Sequence, residues 1–105
     1  MKDWLFQVES PLGFTIRCTQ DYWTFIVSEK HPVLRGRENE IQQILKEPTE
    51  IRRSKKDPNV ILFYGVSQAR WLCAVVRKEN GTGFLITAYP TDIIKTGEPI
   101  WTKSK

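Results

Sequence analysis

The chain has 105 residues, 40% hydrophobic and 27% charged, and 16 Lys and Arg against 12 Asp and Glu leave a net charge of +4. A chain of this size buries roughly 60 to 70% of its extended surface, so a single domain over residues 1–105 with one core is expected, and two cores or global disorder are excluded. The longest apolar run, Trp71 to Val76, is of strand length and far short of the roughly 20 residues of a bilayer span, which excludes membrane insertion; with no basic segment leading into an apolar one at the N-terminus, a cytoplasmic protein is expected.

In chain order, Asp3 to Gln7 and Phe14 to Arg17 read as two short strands around Ser10-Pro11-Leu12-Gly13, an N-terminal hairpin. Thr19 or Asp21 can cap a helix reaching about Glu29, with Tyr22, Phe25 and Ile26 on one side and Trp23 and Val27 on another. His31-Pro32 ends it, because the residue before proline is pushed out of the α region. A second helix is predicted from Arg37 to Lys46, with Ile41, Ile44 and Leu45 on its apolar face and Pro48 closing it.

Glu50 to Ser54, Val60 to Gly65, Arg70 to Lys78 and Thr82 to Tyr89 then alternate with turn signals at Asp57-Pro58-Asn59, Gly65 to Gln68 and Asn80-Gly81. Asn80-Gly81 is the strongest hairpin signal, since both central residues of that tight turn take positive φ. The predicted fold is therefore α+β: an N-terminal β-hairpin, two helices, and a four-stranded antiparallel meander with the helices packed on the sheet. In the last strand, strict alternation places Phe84, Ile86 and Ala88 on one face and Leu85, Thr87, Tyr89 and Thr91 on the other, a hydroxyl-bearing stripe.

His31, the only histidine, is the one side chain that both accepts and releases protons near neutrality, and it sits in a junction rather than on an apolar stripe. The alternative is a helix-ending residue bonded to backbone. Arg52, Arg53, Lys55 and Lys56 follow one another at a strand end and in its loop, where they could neutralise phosphate or form a solvated surface. Arg53 shares its face with Ile51 and is the preferred cation. Tyr64, Tyr89, Thr91 and Lys95 lie near strand ends and could converge at one sheet edge, where aromatic hydroxyls beside cations suit an unpaired base and its phosphate; core packing is the other use of such tyrosines. Cys18 and Cys73 stand far apart and away from His31, so two reduced thiols are expected, with no metal site and no cofactor.

Taken together, His31-Pro32, Glu40-Ile41 through Glu47-Pro48, Arg52-Arg53-Ser54, Asp57-Pro58-Asn59-Val60, Phe63-Tyr64, Leu85 through Asp92, Lys95 and Trp101 resemble a family of small uncharacterised bacterial and phage-associated proteins, which looks like part of the barnase/EndoU/colicin/RelE superfamily of ribonucleases and toxins. The resemblance implies helices on a four-stranded antiparallel sheet and metal-independent attack of a ribose 2′-hydroxyl on the adjacent phosphate. It implies His31 as general acid or base, Arg53 on the phosphate, and Tyr64, Tyr89, Thr91 and Lys95 binding or orienting RNA. An antitoxin or immunity protein is implied as a partner. A non-catalytic RNA-binding module and a protein adaptor working by strand addition are the alternatives from other functional classes.

Overall fold

A computed structural model of the chain describes residues 3–94 and 97–103. The N-terminal hairpin forms as β1 (Trp4–Glu9) and β2 (Thr15–Thr19). Thr19 caps α1 (Gln20–Phe25), its hydroxyl accepting from the Tyr22 amide at 3.1 Å. The helix then widens into a π-helical turn over Ile26–Lys30, and the His31 amide donates to the Ile26 carbonyl at 2.8 Å. Pro32 starts a short 3-10 turn that buries Leu34 completely.

Helix α2 (Glu38–Lys46) buries Ile41, Ile44 and Leu45 against the sheet. Its close approach has a cause in β4 (Val60–Ser67), where a Cβ on Gly65 would stand 2.7 Å from Ile44 Cγ1. Gly65, expected both to end this strand and to open the turn to Gln68, lies inside the strand, which runs on to Ser67. That turn is made by Gln68 and Ala69, both with positive φ although neither is glycine. The turn is held by the Glu40 carboxylate, which accepts from Arg37, Ser67 and Gln68 and is kept below the usual carboxylate range, first by the Arg37 hydrogen bond.

The remaining strands are β3 (Glu50–Arg53), β5 (Arg70–Glu79), β6 (Thr82–Thr91) and β7 (Glu98–Thr102). The expected antiparallel meander is present as β3 to β6, but it is the centre of a larger sheet with strand order β1-β2-β6-β5-β4-β3-β7. The sheet is mixed, because β2 runs parallel to β6 through Thr15–Arg17 against Thr82–Phe84. Strand β7 pairs with the far side of β3 and carries Pro99, whose missing amide suits an edge strand. A four-stranded, wholly antiparallel sheet is thus corrected to seven mixed strands: local sequence pattern carries no signal for non-local pairings.

The sheet face under α2 holds Ile51, Phe63, Ala74 and Ala88 in one cross-strand row, all fully buried. The row Glu50, Tyr64, Cys73, Tyr89 points to the opposite face. Among the described residues no helix is long and apolar enough to cross a membrane.

Candidate functional site

Strand β6 does not alternate as its sequence suggests. Val75 pairs with Thr87 but Val76 pairs with Leu85, so Ile86 is an extra residue in a bulge. Beyond the bulge the faces exchange: Leu85 is buried with Val76 in the core, and Phe84 pairs with Arg77 on the side opposite α2. The predicted grouping of Phe84 with Ala88, and of Leu85 with Thr87 and Tyr89, is corrected accordingly.

The Ile86 carbonyl accepts from the Tyr22 hydroxyl at 2.8 Å and from Lys30 Nζ at 3.3 Å. These two donors tie α1 and the π-helical turn to β6 just where β2 has stopped pairing with it. Lys30 Nζ also stands 5.8 Å from the Tyr22 ring centroid and 5.5 Å from that of Phe25. The residue that follows is His31, half-buried, with its ring centroid 6.0 Å from that of Tyr89.

Tyr89 presents its ring to His31, while side-chain hydrogen bonds join it to Cys73 and Tyr64. Burial pushes its phenol well above the usual tyrosine range, and Cys73 and Tyr64 push it the same way, so it stays protonated. Tyr64, expected to bind RNA, is fully buried and offers no ring surface for stacking. Thr91 is also buried, and its hydroxyl donates to the Ile93 carbonyl at 3.0 Å, which makes it part of the turn leaving β6.

The structure does not bring Arg53 to His31. Arg53 shares its face with Ile51 and Ile61, opposite Tyr89 and towards the other end of the strands, where its guanidinium lies 3.7 Å from Glu98. It lines a separate depression with Lys78 and Asn59. Arg52 projects to the Tyr64 side and is paired with Glu50. Lys55 and Lys56 are exposed in the β3–β4 loop, whose shape comes from Ser54 and Asp57 side chains accepting from the Lys56 and Asn59 amides. Asp57 reaches Arg77 at 2.8 Å, and its carboxyl is held low, first by the Asn59 amide and then by Arg77. Lys95 lies outside the described residues.

Sequence reasoning missed the side chains that continue the His31–Tyr89 pair along β6. A cleft of about 310 Å³ opens between the N-terminal hairpin and β6, walled by Trp4, Tyr22 and Phe84, with Arg17, Arg77 and Glu79 at its polar side. Arg17 lies 5.2 Å from the Trp4 ring centroid, its Nε buried with no hydrogen-bond partner among the described residues. Thr87, between Phe84 and Tyr89 on β6, likewise has a buried hydroxyl without one. Arg17 offered one sequence signal, a cation inside the strand pattern between apolar Ile16 and Cys18.

Among the described residues no three of His, Cys, Asp and Glu come together to hold a metal ion. The groups present can accept and release a proton at His31, place cations at Lys30 and Arg17, and offer aromatic faces to a flat ligand. Compared with known proteins, the chain matches no family model, no curated sequence and no solved structure.

Proposed function

We propose that this protein is an endoribonuclease, toxin-like in kind, that cleaves RNA by transesterification at the 2′-hydroxyl without a metal, in the cytoplasm where its substrate is. The observation that carries the reading is the position of His31, the chain's one imidazole, held against Tyr89 beside a strip of β6 that leads to an aromatic, cation-bearing cleft.

In the reaction, the 2′-hydroxyl gives its proton to His31 as its oxygen bonds to phosphorus. The bond from phosphorus to the 5′-oxygen then breaks, and the departing oxygen takes a proton from water while His31 returns its own to solvent, leaving a 2′,3′-cyclic phosphate and a 5′-hydroxyl. Lys30, which precedes His31 in the chain and is fixed through the Ile86 carbonyl, is assigned the part first expected of Arg53. Tyr89 is a positioning residue: its ring packs by the imidazole while its hydroxyl is turned towards Tyr64 and Cys73. A ribonuclease of this kind requires an inhibitor in its own cell, and an antitoxin or immunity protein is proposed as partner.

The test is purified protein incubated with labelled RNA in chelator, with products resolved by end chemistry. Cyclic-phosphate ends and a loss of about 100-fold or more in His31→Ala are expected. Equal cleavage by His31→Ala would remove that residue from the mechanism. Intact RNA bound with a steep salt dependence would select the second reading, a non-catalytic RNA-binding module, which is favoured by the separation of Arg53 from His31.

A further inference from the structure

We infer that the cleft between the N-terminal hairpin and β6 binds one unpaired nucleobase by stacking and discriminates little among the four bases. The inference uses cleavage at His31 only to place the neighbouring phosphate; binding in the cleft stands by itself.

Three features carry it. The walls are aromatic and belong to separate elements, Trp4 on β1, Tyr22 on α1 and Phe84 on β6, so a flat group can enter between them. The volume of about 310 Å³ accommodates a base with part of its sugar. Arg17 supplies a planar cation against Trp4 and makes no ion pair with an acidic side chain among the described residues, so its charge is available to a ligand.

The polar side of the cleft explains the low discrimination. Arg77 Nε is 2.8 Å from Glu79 Oε2, and Arg77 Nη1 is 2.8 Å from Asp57. Two of the five Arg77 N–H groups are committed to these carboxylates, and the pairs fix the direction of the guanidinium, so it is not free to turn to the edge of each different base. The π-face, which every base has, is left as the recognised feature, with purines favoured by their larger area. A base in a duplex has both faces covered and cannot use such a site. Along β6, Thr87 and Tyr89 follow Phe84, and His31 stands beside Tyr89; a base in the cleft thus leaves its chain running along this strip towards His31.

The experiment is fluorescence anisotropy of 5′-labelled 2′-O-methyl hexanucleotides, which cannot be cleaved, titrated with the full chain. Purine and pyrimidine homopolymers should differ by less than about tenfold, and a duplex of the same length should bind at least about tenfold more weakly. Trp4→Ala should weaken binding about tenfold or more, with Trp4→Phe restoring most of it. Arg17→Gln, which keeps the strand and its length, should weaken binding comparably while thermal unfolding stays near that of the parent. Unchanged affinity in both Trp4→Ala and Arg17→Gln, or a preference for duplex, overturns the inference. RNA cleavage with a normal KM in those variants would leave the nuclease reading standing without the cleft. Stacking-dependent binding with no cleavage of ordinary RNA would leave the cleft standing without the nuclease.

Discussion

Gly65→Ala tests the seat of α2 on the sheet. A Cβ at this position would lie 2.7 Å from Ile44 Cγ1 and 3.4 Å from both Cδ1 and Cγ2. Ile44 is 5% exposed and cannot swing into solvent, so either the helix or β4 has to yield. Overpacking of this kind costs about 1 to 3 kcal/mol. Against it, alanine restricts the unfolded chain and returns about 0.4 to 1 kcal/mol, since Gly65 has no positive φ to lose. A net loss of about 1 to 2 kcal/mol follows, equivalent to a fall in Tm of roughly 5 to 15 °C for a domain of this size. Urea unfolding followed by circular dichroism measures it, with an unchanged m-value if the effect is in the folded state. In an Ile44→Ala background the obstruction is gone, and adding Gly65→Ala should be neutral or stabilising. An equal penalty in both backgrounds, or none in the parent, would refute the contact as the reason for the glycine.

Tyr22→Phe removes the shorter of the two donors to the bulge carbonyl and should lower stability by about 1 kcal/mol in urea unfolding, with Lys30 retaining part of the tie; a parent-like midpoint would show that the bond contributes nothing. Tyr89 has its phenol pKa raised, so its contribution to stability is complete below the ordinary tyrosine value near 10 and is lost as pH rises through the folded value. Unfolding free energy should therefore decline above about pH 10, and Tyr89→Phe should flatten that decline; an identical alkaline limb in the variant would reject the assignment.

Much of the local structure was legible in the sequence. The spacing of Ile41, Ile44 and Leu45 gave α2 nearly to the residue, Thr19 was one of the two caps expected for α1 and is the one used, and Asn80-Gly81 gave a turn in which both residues have positive φ. What escaped was non-local or hidden by irregularity. The parallel pairing of β2 with β6 and the docking of β7 on β3 depend on partners far away in the chain. The bulge at Ile86 breaks the two-residue period that strand alternation relies on, and with it the face assigned to Phe84. The same holds for the candidate site. His31 stood out by its chemistry and Tyr89 by its place in the strand, whereas Lys30 and Tyr22 matter because of a carbonyl that only the bulge exposes. Tyr64 looked like a strand-end aromatic but is sealed in the interior, since alternation does not reveal what covers a face.

The short seam between β2 and β6 bears on the order in which the molecule assembles. Thr15 meets Thr82 only after both helices and three strands have been threaded between them, and the register runs for no more than Thr15–Arg17. Such a contact closes a long loop for few hydrogen bonds, which makes it late in folding and early to open in the native state. The amides of this seam should lose hydrogen-exchange protection before those of β4 and β5. Because Trp4 and Arg17 belong to the hairpin and Phe84 to β6, parting of the seam dismantles the aromatic cleft.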